Sequence, residues 1–220
     1  MARKRRDARQ QEQRNKKQQQ RLIAGAGALI LLTALVYFTW QGMGAGQALA
    51  PDAVPDPVLG NNEAVVEIVE YGDFGCSACK AWHNRGIREQ VLDAFGEQVK
   101  FVWRDFPVIT PQSPKAAEAG QCAGAQGQFW AYHDYLYEMA GGLDVAELKR
   151  TASAIDLEMD DFNACLDDGI MAAKVQSGAQ EARRLGMRGT PAFTVNGQAL
   201  AAPPSFDQLA TYVLQASAQQ

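Results

Sequence analysis

Val65-Val66-Glu67-Ile68-Val69-Glu70-Tyr71-Gly72-Asp73-Phe74-Gly75-Cys76-Ser77-Ala78-Cys79-Lys80 is the stretch on which the fold turns. It opens with a β-branched run, Val65 to Tyr71, the composition of a buried strand. Gly72 to Gly75 ends that run, and a helical pattern follows from about Ser77 to Phe95. A C-x-x-C between a strand and a helix reads as a redox motif. The chemistry wants this placement, because the thiolate is the nucleophile and a helix N-terminus stabilises it through free N–H groups and the dipole. Cys76, at the helix mouth, is expected to attack first. Cys79, one turn on and more buried, is expected to resolve the mixed disulfide.

Outward from this stretch, Val99 to Arg104 reads as a second strand. From Ser113 to about Arg184 the chain is rich in helix formers, with breaks near Gly141-Gly142 and around Asp156 to Asp160. Ala192 to Val195, the turn Asn196-Gly197, and Gln198 to Ala201 give a hairpin signal. Ser205 to Ala216 reads as a terminal helix with Ser205 as its N-cap. A βαβ unit followed by an antiparallel ββα unit can share one sheet. The expected class is α/β, with a folded domain over 61–220 and a helical insertion over about 113–184.

Two further cysteines, Cys122 and Cys165, lie 43 positions apart in the helical block. Zinc would need them as partners of the C-x-x-C, without a second C-x-x-C or clustered His, so no metal is assigned. In an exported domain two remaining Cys are expected to pair. Such a loop stabilises by roughly 4 kcal/mol in the chain-entropy model. Free buried thiols and a second redox relay are the alternatives. Pro191, after Thr190 at the head of a strand, fits a cis or a trans peptide on sequence alone. Beside a redox pair, the cis form is expected. Glu70 either accepts the Cys79 proton from beneath the pair or faces solvent. His83 and Trp82 read as packing or exposed residues, and the aromatic run Phe129 to Asp134 as core. Arg104 and Asp105 fit an exposed pair or a charge near the site.

The N-terminal segments set the compartment. Residues 1–21 carry nine Lys/Arg against Asp7 and Glu12, a net +7 in a chain of net −4, which leaves −11 for the rest. Residues 22–40 contain no charge. As a helix they would span roughly 28 Å, close to the hydrocarbon thickness of a bilayer. Tyr37 and Trp40 suit an interface, and the basic run places the tail in the cytoplasm. A retained anchor is expected. A signal cleaved at Ala48-Leu49-Ala50 is the alternative, and both readings export the domain. Nucleic-acid binding by the basic tail is set aside because the uncharged, membrane-length run adjoins it. Residues 41–60, rich in Gly, Ala and Pro, read as a flexible linker.

Four separated stretches then resemble one family. They are Glu70 to Lys80, Phe101 to Pro107, Gln121-Cys122-Ala123 with Gln126 to Asp134, and Gly189 to Phe193 with Val195-Asn196-Gly197. In that order they resemble the bacterial DsbA-like family of thiol–disulfide oxidoreductases, over roughly residues 56–216. The resemblance implies a thioredoxin-like fold with an inserted helical domain, here preceded by a single N-terminal transmembrane helix. It implies Cys76 as attacking thiol, Cys79 as resolving thiol, Glu70 as the buried acid, Pro191 as a cis-proline and Thr190 as the substrate-side residue before it. It also supports a 122–165 disulfide.

Two departures bear on the direction of exchange. Ser77-Ala78 has neither the Pro nor the His of well-known members, and Thr190 stands where strong oxidases carry Val. Both point to a less oxidising potential. The leading expectation is an oxidase of exported protein thiols, monomeric, without cofactor, and recharged by a quinone-linked membrane partner. A reductase or isomerase fed by a membrane electron donor, and a non-catalytic peptide-binding module, are the alternatives.

Overall fold

A computed structural model describes residues 54–218. The expected basic tail, the membrane anchor at 22–40 and most of the linker lie outside the described residues. Among the described residues, no helix is long and apolar enough to cross a membrane.

Five strands form one sheet: β1 (Val58–Gly60), β2 (Val66–Gly72), β3 (Val99–Asp105), β4 (Ala192–Val195) and β5 (Gln198–Ala199). Their order is β1-β3-β2-β4-β5. Strands β2 and β3 run parallel, with Val66 opposite Val99 and Gly72 opposite Asp105. The other pairs are antiparallel. Strand β2 is buried along nearly its whole length because both faces of the sheet are covered. Val66, Ile68, Phe101 and Phe193 pack on one face with Ile87, Val91, Leu209 and Val213. Val69, Tyr71 and Val102 pack on the other with Ala179 and Ala182.

Among the described residues the helices are α1 (Ser77–His83), α2 (Ile87–Phe95), α3 (Ser113–Ala125), α4 (Phe129–Glu138), α5 (Val145–Ala154), α6 (Met159–Asp167), α7 (Ala172–Arg184) and α8 (Phe206–Ser217). Helices α3 to α7 are the insertion. This is the thioredoxin-like arrangement with inserted helices. The single helical pattern read from Ser77 to Phe95 is two helices. Gly86 sits between them at φ 61°, a left-handed conformation that Gly adopts without steric cost. Two breaks in the insertion escaped the sequence pattern, at 126–128 and 168–171. Each turns on a glycine at positive φ, Gly127 at 74° and Gly169 at 64°. Ser205 caps α8 in a reciprocal capping box with Gln208.

The expected linker is too long at its C-terminal end. Residues 54–60 belong to the domain, not to a spacer. Val54 is buried, and Pro57 O accepts a hydrogen bond from Trp103 N at 3.0 Å. Val58–Gly60 pair antiparallel with β3. Asp56 bridges Arg104 and Lys174, and Lys174 Nζ donates to Val54 O at 2.7 Å. A three-residue edge strand is too short to show a period of two, and the prolines around it masked it. Arg104 is thus an ion-pair partner of the N-terminal strap. Its neighbour Asp105 is buried and accepts from Trp103 Nε1 and Gln121 Nε2. Burial pushes the Asp105 carboxyl up to about 6 against the pull of those bonds.

Cys122 of α3 and Cys165 of α6 are joined by a disulfide. Around it pack Tyr132, Leu148, Phe162 and Leu166 in a core continuous with Phe74 and Trp103. The insertion and the sheet therefore share one apolar interior at the end of β2. Gly72 is required there, since a Cβ would run into the Trp103 indole.

Gly72→Ala must displace that indole, which stacks on Phe74 at 5.3 Å. Its unfolding free energy in urea should fall by about 1–3 kcal/mol. Replacing both Cys122 and Cys165 by Ala should cost about 2–4 kcal/mol by the same measurement, while leaving thiol exchange at Cys76 intact.

Candidate active site

The site is built where β2 hands over to α1. Asp73 shapes the turn. Its Oδ1 accepts from Gly75 N at 2.7 Å, and its Oδ2 accepts from Val108 N and Ile109 N at 2.7 and 2.8 Å. Its carbonyl accepts from Cys76 N at 2.9 Å and from the Tyr137 hydroxyl at 3.0 Å. One residue thus ties the cysteine loop to the loop after β3 and to α4 of the insertion. Asp73 carries a quoted motif, yet the sequence reading gave it no role.

Cys76 is the N-cap of α1, in an extended conformation. Its thiol donates to Thr190 O at 3.1 Å. The Thr190–Pro191 peptide bond is cis. The structure therefore brings Cys76 and Thr190 together across 114 positions of sequence. Cys76 and Cys79 are both free thiols, and Cys79 is wholly buried. Burial, then the neighbouring Glu70, pushes the Cys79 thiol well up.

Glu70 lies on β2 between Trp103 of β3 and Phe193 of β4. It is 3 % exposed, on the same face as Val66 and Ile68. Its carboxyl is pushed up to about 8 by burial, opposed by Arg88 and reinforced by Glu89 and Asp134. Glu70 is therefore a buried acid and not a solvent-facing one.

A cluster from α1, α2 and α4 stands beside this acid. Arg88 Nη2 donates to Asp134 Oδ1 at 2.9 Å, and Arg88 Nε donates to Glu89 Oε1 at 2.8 Å. His133 is buried, and its Nδ1 lies 2.7 Å from Asp134 Oδ1. Burial lowers His133 to about 4, so its imidazole is neutral at pH 7 and donates that bond. Burial works against the Asp134 charge, yet His133 and Arg88 hold its carboxyl down at about 2. His83 reaches the rim of the cluster, 3.3 Å from Glu138. His83, His133 and Asp134 set ligand-type atoms within 4.8 Å of one another. The Arg88 guanidinium already supplies the positive charge there.

Sequence reading missed Arg88, Asp134 and Tyr137 as site neighbours. Arg88 left a signal: a charge beside the apolar Ile87 and Val91 of a buried helix face. Asp134 was read only as the end of an aromatic core run. That run is core: Phe129, Tyr132 and His133 are buried.

One open cavity borders the cysteine loop and another borders the loop of Pro191. The first, of about 470 Å³, is lined by Phe74, Gly75, Thr110, Gln112, Leu143 and Asp144. The other, of about 360 Å³, runs beside Pro191 and includes Leu185, Met187, Ala192, Leu200 and Pro203. Val108 and Ile109 are exposed by 40 % and 49 % close by.

The comparisons agree with this frame. A family model described as Thioredoxin matches residues 52–214. Among curated proteins, the chain is 34% identical over 183 residues to a Na(+)/H(+) antiporter NhaA 3 of Salinispora tropica, covering 80% of this chain and 28% of that protein. It is 38% identical over 145 residues to the NhaA 1 antiporter of Salinispora arenicola, covering 65% of this chain and 22% of that protein. The chain thus spans about a quarter of the length of these relatives. A crystal structure of a thioredoxin-like oxidoreductase from Silicibacter pomeroyi is similar at TM-score 0.67 and 26% identity, covering 80% of this chain and 99% of that one. Oxidised BdbD from Bacillus subtilis shares the fold at TM-score 0.67 and 23% identity, over 73% of this chain and 92% of that one. The match along the described domain, together with a C-x-x-C at the head of α1, makes this chain a member of the thioredoxin family.

Proposed function

We propose that this oxidoreductase introduces disulfides into exported protein thiols. The observation that carries this is how well the reduced pair is accommodated. The Cys76 thiol donates to Thr190 O, a bond that the dithiol makes and the disulfide, with no S–H, gives up. An environment that stabilises the dithiol makes the disulfide an oxidant. A substrate thiolate attacks Cys76 Sγ of the Cys76–Cys79 bond, and Cys79 leaves and takes a proton from Glu70. A second substrate thiolate then attacks its partner sulfur, and the dithiol enzyme departs. Thr190 and Pro191, with the groove beside them, receive the substrate chain.

The same reading has the domain tethered outside the cytoplasm by residues 22–40, near a quinone-linked partner that restores the disulfide. The uncharged run and its basic flank support this. So do relatives named as ion antiporters, in which a similar segment makes up about a quarter of the chain. Ser77-Ala78 and Thr190 favour a second reading, a reductase or isomerase held reduced by a membrane electron donor.

Thiol trapping in living cells with a size-shifting alkylator separates the two. The oxidase should show no free thiols. Two free thiols at Cys76 and Cys79 would replace it with the reductase or isomerase. If Cys76→Ser kept full biological activity, the protein would be a binding module instead.

The buried acid gives a pH signature. Folded Glu70 binds its proton more tightly than an ordinary carboxyl near 4.5. The stability this contributes is complete below pH 4.5 and is lost as pH rises towards 8. Glu70→Gln should flatten that decline and stabilise the fold at pH 7.5 by on the order of 2 kcal/mol, with little effect near pH 4. Denaturant titrations across pH measure it. The same variant should slow closure of the Cys76–Cys79 bond.

A further inference from the structure

A buried acid that passes protons needs a field that lets it ionise. Burial alone opposes that. Glu70 shares the face of β2 on which Val66 and Ile68 pack with Ile87 and Val91 of α2, the helix that carries Arg88 and Glu89. The charges that act on it are Arg88 and Glu89 of α2 and Asp134 of α4, and its own carboxyl acts on Cys79 of α1 and Tyr137 of α4. Arg88 is the one cation among them. It is 2 % exposed on α2, with its guanidinium 4.7 Å from the Trp130 ring centre. Asp134 holds it at 2.9 Å and Glu89 at 2.8 Å, and its Nη1 lies 3.5 Å from His133 Nδ1. Trp130, His133 and Asp134 all belong to the inserted helix α4. The His133 ring meets Tyr137 edge-on at 4.7 Å, and Tyr137 donates to Asp73 O in the cysteine loop. Arg88 is thus seated by the insertion, on the helix that packs over the face of the sheet holding Glu70.

We infer that Arg88 is a positioning residue for proton transfer, a fixed cation clamped by α4 that keeps Glu70 able to accept the Cys79 proton. Arginine suits the post because its charge does not titrate on burial. The inference rests on the exchange chemistry proposed above, in either direction of net flow. The step it serves is closure of the redox pair. The Cys79 S–H proton passes to the Glu70 carboxylate, and the Cys79 thiolate attacks Cys76 Sγ in a mixed disulfide. The Cys79–Cys76 bond forms, the bond from Cys76 to the outer sulfur breaks, and that sulfur leaves as a thiolate. Glu70 then returns its proton to solvent.

The test uses the full chain in detergent, reduced and then mixed with glutathione disulfide. Acid quenching and mass measurement give the rate at which the Cys76–glutathione adduct closes to Cys76–Cys79, from pH 5 to 10. Arg88→Met should move the inflection of that profile up by about one unit. Below the inflection this is about tenfold slower closure at a given pH. Arg88→Lys should leave the inflection near wild type, and Arg88→Met should move nothing when Glu70 is already Gln. If Arg88→Met does not fold, Arg88→Gln, which removes the charge but keeps an N–H donor towards Asp134, is read the same way. A variant that loses stability while its inflection stays put would overturn the inference, as would a shift that survives Glu70→Gln. A wild type that forms no adduct would overturn the exchange chemistry itself. A wild type that closes normally beside an unmoved variant would overturn the role of Arg88 alone.

Discussion

Asp73 is the constraint on which the site depends. Its carboxylate spends both oxygens on backbone N–H groups, one in the cysteine loop and two in the loop after β3. Its carbonyl takes Cys76 N and the Tyr137 hydroxyl. Strand β2, helix α1, the β3 loop and helix α4 are therefore registered against one residue. Cys76, itself buried at the head of α1, and the exposed Val108 and Ile109 close by inherit their positions from that anchor. Hydrogen bonds to a carboxylate are stronger than neutral ones, which suits a turn that must keep its shape while a disulfide opens and closes.

What could be read from sequence follows from how local each signal is. The β-branched run of β2, the C-x-x-C that starts α1, the Asn196-Gly197 turn and the Ser205 cap are all written in adjacent residues. They are seen as strand, helix start, turn and cap. Strand β1 was missed because its identity depends on the free edge of β3, which no three-residue window records. The breaks at Gly127 and Gly169 were missed because a glycine among helix formers carries no mark of its φ. At the site, the residue types of Cys76, Cys79, Glu70, Thr190 and Pro191 carry their own chemistry. Arg88 and Asp134 acquire meaning only from each other, across 46 positions.

The insertion does more than cover the sheet. It shares a core with the end of β2 through Phe74 and Trp103, and it presents His133, Asp134 and Tyr137 to the redox centre. The Cys122–Cys165 bond lies inside that shared interior. The two cysteine pairs thus divide their duties, one pair joined within the insertion and the other free at its border.

The strap at 54–60 has a mechanical consequence. It is clipped to β3 by backbone pairing and by Asp56 between Arg104 and Lys174. Tension arriving from the residues before Val54 enters the domain at one edge of the sheet, with β3 standing between it and β2. The load is taken up by ion pairs and a short ladder, and not by the turn that carries Cys76. A pull on the chain ahead of Val54 would therefore load the edge of the sheet before it reached the turn that aligns the two sulfurs.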